Sequence, residues 1–305
     1  MKKFLSYIIV FCLPIIATTI MVEFILRQMP NPYKYKFEWM QENSDDVETI
    51  ILGSSHTFYG ISPKYMECKA FNLANVSQSL SYDMFLLKYW SKRYKHLKTV
   101  VCPISFSSLF SRGLENGSES YRCRYYKIYM DCDMHSDFSL YNFEVSDVRT
   151  ANGKLNKFLK GDDNPGCDEY GWGNAYLLSG KDSVNWNNGT EANAAVKRHT
   201  EKNWDYLDGN YNLLKAIAMF CKERNIQLIL ITTPCWHVYY DNLDEKQWAK
   251  TYELIDKLQE EFDVPYYDFL KDERFDANDF YDSNHLSDVG AEKFSKILSE
   301  IIKDK

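Results

Sequence analysis

Five short apolar runs alternate with stretches of helical periodicity, and this alternation constrains the fold more than any other feature of the 305-residue chain. The clearest run is 226–232 (IQLILIT region), closed by Pro234; 98–104, 47–52, 264–269 and the shorter 70–73 share its character. Runs of this length, apolar on consecutive rather than alternate residues, read as strands buried on both faces. Between them apolar residues recur at helical spacing: Tyr82, Phe85, Leu86, Tyr89 and Trp90 within 81–94, and Leu207, Tyr211, Leu214, Ala218 and Cys221 within 205–224. The stretch 245–262 carries Trp248, Tyr252, Ile255 and Leu258, and 288–303 carries Val289, Phe294, Ile297 and Ile301. Strands joined through helices run parallel, because a parallel pair needs a long crossover. The expectation is an α/β fold, a parallel sheet of about five strands with helices on both faces.

One segment breaks the alternation. From 106 to 205 no long periodicity is visible, and nine of the thirteen glycines fall there among many Asn, Asp and Tyr. It reads as an insertion of short elements and ordered loops growing from the carboxyl end of the third strand. Loops at that edge overhang the ligand crevice of an open α/β sheet; the alternative is a stabilising cap without ligand contact. Tyr170, Trp172 and Trp186 could stack on sugar rings there, or simply hold the segment together.

The amino terminus sets the compartment. After Met1-Lys2-Lys3, an apolar run from 4 to 22 is interrupted by Ser6, Pro14, Thr18 and Thr19. At about 1.5 Å per residue it nearly crosses a hydrocarbon core roughly 30 Å thick. Residues 1–27 therefore read as a signal-anchor or transmembrane helix, 28–46 as a linker and 47–305 as the body. The alternative is a removable signal peptide; the run is long for one, and no clean small-x-small cleavage site follows. The signal-like start puts the body outside the cytoplasm, in a periplasm or at a cell surface. Charge bias says less, because Arg27, Lys34 and Lys36 follow the run just as Lys2 and Lys3 precede it.

Lys and Arg number 36 against 43 Asp and Glu, a net charge of −7, so no basic surplus exists to displace counterions from a phosphate backbone. Nucleic acid is not an expected partner. Seven of the eight cysteines lie beyond the apolar run, an odd number that cannot all pair within one chain. Cys102 and Cys221 sit in apolar stretches and read as core residues, whereas Cys123, Cys132 and Cys167 are candidates for a bridge in an oxidising compartment. There is no C-x-x-C, G-x-G-x-x-G or phosphate-loop pattern, so neither a metal site nor a cofactor is expected.

The chemistry concentrates at two places. Gly53-Ser54-Ser55-His56-Thr57-Phe58-Tyr59-Gly60 directly follows the first strand. A serine in such a turn can open a helix, where unpaired backbone N–H groups favour negative charge; serine is also a common helix cap. Asp282-Ser283-Asn284-His285-Leu286-Ser287 follows the fifth strand and opens the last helix. A carboxylate three residues before a histidine can bond its Nδ1–H and fix the tautomer. In a parallel sheet both motifs sit at the carboxyl ends of strands and so share a crevice, although 230 positions separate Ser55 from His285. That convergence is what a nucleophile, a base and its orienter require.

Gly53-Ser54-Ser55 with Gly60, and the closing Asp282-x-x-His285-Leu-Ser-x-x-Gly290, resemble the first and last signature blocks of the SGNH (GDSL-like) hydrolase superfamily, whose sheet is flavodoxin-like. The amino-terminal anchor, G-S-S in place of G-D-S and the long insertion are similar to its membrane-anchored envelope members, including teichoic-acid D-alanylation and alginate O-acetylation proteins. The resemblance implies Ser55 as nucleophile, His285 as general base and Asp282 as its orienting partner. The family's second-block glycine falls within 72–79, and its G-x-N-D after the third strand is replaced by Pro103-Ile104-Ser105-Phe106-Ser107. Ser55, Asn75 and Ser105 are the expected oxyanion donors. Trp236 and His237, after the fourth strand, are expected to touch substrate, His56 to point to solvent, and Asp276 and Asp279 to lie in a solvated loop.

The implied function is a serine esterase or O-acyltransferase acting on an acylated cell-envelope glycan, or a small ester, through a Ser-His-Asp triad. The alternative is a non-catalytic accessory or binding protein that docks to a membrane O-acyltransferase.

Overall fold

The computed structural model describes residues 2–134, 140–184, 187 and 189–303. Trp186, and with it the expectation of sugar stacking there, lies outside the described residues. Five parallel strands, β1 (Thr49–Ile51), β2 (Ala70–Asn72), β3 (Thr99–Pro103), β4 (Gln227–Thr232) and β5 (Tyr266–Asp268), form one sheet in the order β2-β1-β3-β4-β5. This is the flavodoxin-like order, and the expected α/β class is what the chain adopts. The observed strands are shorter than the apolar runs, because only their central residues pair.

Side chains alternate across the sheet, as strand geometry requires. Ile50, Leu52, Val100, Cys102, Leu228 and Leu230 point to one face, where they pack with helices α2 (Pro32–Asn43), α4 (Leu80–Trp90), α8 (Leu207–Glu223) and α10 (Glu245–Phe262). Ile51, Val101, Ile229 and Ile231 point to the other, beneath α11 (Asp288–Lys303) and the residues that follow α3 (Ser55–Gly60). The helices expected at 81–94, 205–224, 245–262 and 288–303 are thus α4, α8, α10 and α11, with ends displaced by at most a few residues.

The stretch 28–46 differs from a linker. Asn31 caps α2, its Oδ1 accepting from the Lys34 N–H at 3.0 Å, and Pro32 occupies the first turn. Trp39 stacks on Phe71 of β2 with ring centroids 3.7 Å apart. Lys36 is fully buried: its ammonium donates to the Ala74 carbonyl and lies 4.3 Å from the centroid of the Phe58 ring. Burial pushes that amine down to about 7. The helix therefore acts as a cover for one sheet edge and for the loop after β2.

The segment 106–205 carries α5 (Cys123–Tyr129), α6 (Val148–Leu159) and α7 (Gly189–His199) with several single-turn 3₁₀ elements, while the four-residue α9 (His237–Tyr240) follows β4. All eight cysteines are free thiols, Cys123, Cys132 and Cys167 included, and the last three are buried. Helix α1 (Lys2–Gln28) is apolar and exposed as far as Met21, and Lys3–Gln28 is long and apolar enough to cross a membrane. Pro14 leaves the carbonyl one turn earlier without its helical N–H. The hydroxyls of Thr18 and Thr19 fold back onto the carbonyls of Pro14 and Ile15 at 2.9 Å.

Two glycines fix how the ends of the sheet close. At Gly53 the backbone has φ 108°, and a Cβ there would stand 2.1 Å from Pro103 Cγ. At Gly290 a Cβ would meet the Asp279 carbonyl oxygen at 2.0 Å, so α11 can approach the Asp279 backbone only without a side chain. We predict that Gly290→Ala lowers stability by about 2–3 kcal/mol through overpacking. Gly209→Ala on α8, where a Cβ meets nothing within 4 Å, is the control and leaves stability equal or up to about 1 kcal/mol higher. Thermal melts of the two variants check this; equal losses would contradict the packing argument.

Candidate active site

Ser55 opens α3 immediately beyond β1. The turn that presents it is held from below: the Gly53 N–H donates to Asp83 Oδ1 at 2.9 Å, and the Thr57 hydroxyl donates to the Leu52 carbonyl at 2.7 Å. Asp83 is buried on α4 and also accepts from Gln78 Nε2 at 2.7 Å; burial raises its carboxyl to about 6. Sequence reasoning missed this support, because Asp83 is brought to Gly53 only by the packing of α4 on the sheet.

His285 lies in the turn before α11. The Trp236 N–H donates to the Ser283 carbonyl and the Ser287 N–H to the Asp279 carbonyl, at 2.9 and 2.8 Å, which pins both sides of the turn. Its Nε2 is 2.9 Å from Ser55 Oγ, and its Nδ1 is 2.9 Å from Asp282 Oδ2 and 3.0 Å from Oδ1. Burial opposes ionisation of Asp282, but the charge and ring N–H of His285 and the backbone N–H groups of Asn284 and His285 outweigh it, holding the carboxyl below its usual range. With Nδ1–H given to that carboxylate, Nε2 keeps the lone pair that can accept from the serine hydroxyl.

His56 does not point to solvent. It is buried, its ring stacked on His285 with centroids 4.8 Å apart, and Asn284 Nδ2 lies 3.1 Å from its Nε2. His199 of α7 meets it edge-on at 6.3 Å and bonds the Tyr239 hydroxyl through Nδ1 at 2.7 Å. Tyr59, Tyr176 and Tyr281 form a column, with successive centroids 3.7 and 4.3 Å apart, whose middle ring stands edge-on to His285 at 5.2 Å. The hint for His56 was its position next to Ser55; for His199 and Tyr176, far off in the irregular segment, no local signal existed.

The serine and histidine open into a cleft of about 700 Å³. Gly53–His56 and 76–80 line one side, Asn284 and His285 another. Residues of the 106–205 segment line the rest, among them Ser107, Ser108, Ser111, Arg112, Tyr176, Arg198 and His199, so the segment overhangs the crevice. Ser105 lines it too, with its hydroxyl 2.9 Å from that of Ser108. Asn75 does not: its amide nitrogen is 3.2 Å from Gln78 Oε1, within its own buried turn. In the stretch 72–79 the backbone enters the left-handed region at Ser77 (φ 60°), the conformation glycine favours, and Ser77 borders the cleft.

Neither Trp236 nor His237 lines the cleft. The Trp236 ring packs at 5.4 Å on Phe280, where it supports the 282–285 turn, and His237 opens α9 with its Nδ1 3.8 Å from Asp241. Trp172 Nε1–H donates to the Tyr59 carbonyl at 2.6 Å, a structural task rather than a platform for ligand. Asp279 is buried, not solvated: it pairs with Lys293, and its Oδ2 accepts from the Asp276 N–H in a capping box.

A protein-family model that carries no description matches residues 190–305. No curated protein matches the sequence. Solved structures similar to the chain include a protein described as an acylhydrolase from Bacteroides fragilis, with a TM-score of 0.42 and 9% identity over 87% of this chain and 94% of that one. A GDSL-like lipase from Bacteroides thetaiotaomicron has a TM-score of 0.43 and 9% identity over 90% of this chain and 99% of its own. The lipase/acylhydrolase from Enterococcus faecalis has a TM-score of 0.40 and 12% identity, covering 85% and 96%.

The buried histidines give the site a pH signature in stability. Burial, then the facing His285, pushes His56 well below the usual value, and burial pushes His199 down to about 4. The unfolded chain takes up these protons from about pH 6.5 downward while the folded chain resists. Their contribution is therefore complete above about pH 6.5 and is lost as pH falls towards 4. The melting temperature should drop over that interval, and His199→Gln should flatten the slope; an unchanged slope would refute the assignment.

Proposed function

We propose that the chain is a membrane-anchored serine ester hydrolase or O-acyltransferase of the SGNH type, with Ser55 as nucleophile, His285 as general base and Asp282 as the group that orients and charges the imidazole. The observation that carries this reading is the continuous line from Ser55 Oγ through His285 to Asp282, with both links at 2.9 Å. As Oγ attacks the ester carbonyl, Nε2 takes its proton, and the ionised Asp282 stabilises the imidazolium. Collapse of the tetrahedral intermediate returns that proton to the departing alcohol and leaves the acyl group on Ser55. Water then completes an esterase, and a sugar hydroxyl an acyltransferase.

The Ser55 N–H, the Ser105 hydroxyl and the backbone at Ser77 are our candidates for the oxyanion, with Asn75 shaping the loop behind them. A cleft bordered by serine hydroxyls and by Arg112 and Arg198 suits a polyhydroxylated substrate better than an acyl chain. With α1 retained as an anchor and the body outside the cytoplasm, an acylated envelope glycan is the substrate class we propose.

The test is labelling with a fluorophosphonate. Wild type and Ser54→Ala should react and Ser55→Ala should not. Asp282→Asn should cut turnover of an activated ester by about 10³–10⁴, and Ser105→Ala by about 10². Folded wild type that never reacts would overturn the enzyme reading in favour of an accessory protein of a membrane O-acyltransferase system.

A further inference from the structure

Helix α1 does not simply trail into the body. Its last turns are built into it: Glu23 accepts from the backbone N–H groups of Glu144 and Val145 at 3.2 and 3.0 Å, and Arg27, paired with Glu23, donates to the Asn142 carbonyl at 2.7 Å. Leu26 and Met29 are buried against Ala151 of α6, with Val22, Val145 and Leu155 around them. The base of α1 and the face of α6 therefore form one packed unit.

That packing covers only part of the apolar stripe of α6. Ala151 and Leu155 meet α1, while Val148 and Leu159, on the same face by helical spacing, are 78% and 79% exposed, and Phe158 beside them is 53% exposed. Leu140, next to the loop that receives Arg27, is 72% exposed. The opposite side of α6 carries Arg149 and Lys157, the latter 3.5 Å from Asp162, with Lys160 just beyond its end and no acid within the helix, in a chain whose net charge is −7. A short helix with a wide apolar stripe, a basic polar face and a neighbour that crosses the bilayer has the physical profile of an interfacial helix.

We infer that α6 lies in the headgroup region of the membrane that α1 spans, with Val148, Phe158 and Leu159 entering the acyl boundary and Arg149, Lys157 and Lys160 meeting anionic headgroups. This rests on the reading of α1 as a retained anchor. The lipid-facing surface of α1 then continues onto the body without a gap, and the rigid joint at Glu23 and Arg27 holds the cleft at a fixed height and orientation above the bilayer.

The test uses the full chain in nanodiscs of phosphatidylcholine with a minor share of phosphatidylglycerol, doped with a phospholipid bearing a diazirine on its acyl chain. Adducts are mapped by peptide mass spectrometry after irradiation. Adducts should appear in 4–21 and in 148–159, but not at the exposed Met219 or Val289 elsewhere on the body. A Val148→Glu, Leu159→Glu double variant should lose most of the 148–159 adducts while labelling of α1 is unchanged. Adducts on α1 alone, or equal labelling of Met219 and Val289, would overturn the inference; absence of adducts even on α1 would instead remove the anchor reading beneath it.

Discussion

A single contact joins a turn near the start of the body to one near its end. Ser55 and His285 stand 230 positions apart in sequence and 2.9 Å apart in space, and everything between them is arranged so that this holds. The parallel sheet supplies the coarse geometry: β1 and β5 both end on the same edge, so the loops after them emerge together. The fine geometry comes from buried partners. Asp83 holds the Gly53 turn from within α4, and the close approach of Gly290 to Asp279 lets α11 seat the turn bearing Asp282 and His285.

The cleft is shared property. The sheet contributes the serine and the histidine, but the irregular segment contributes the far wall, including His199, Arg198 and Tyr176. His56 stacks on His285 and His199 stands edge-on to His56, and burial disfavours the charged form of both rings.

Much of this was legible in the sequence, and the failures share a cause. The sheet and the four long helices follow from runs such as 226–232 and from one-faced periodicity, which are local signals. The meeting of Ser55, His285 and Asp282 follows from two motifs placed after strands, a local signal read through topology. What stayed hidden depends on partners distant in sequence. The stretch 28–46 reads as a linker in the sequence, while in the structure α2 packs against the sheet edge and the Lys36 ammonium finds its partner, the Ala74 carbonyl, 38 positions away. Asp279 looked solvated because Lys293, which neutralises it, lies a turn into the next helix. Asn75 looked like a donor to the cleft, yet its own turn consumes its amide. The irregular segment offered no period, so the residues it sends into the cleft could not be chosen in advance.

The most direct test of the central claim is to trap the intermediate. Wild-type protein mixed briefly with an activated acetyl ester, quenched in acid and digested, should yield the peptide around Ser55 carrying one acetyl group on that residue, in an amount that decays as turnover proceeds. Acetyl found on Ser54 or scattered over lysines, with Ser55 unmodified in a folded sample, would contradict a nucleophilic role for that hydroxyl.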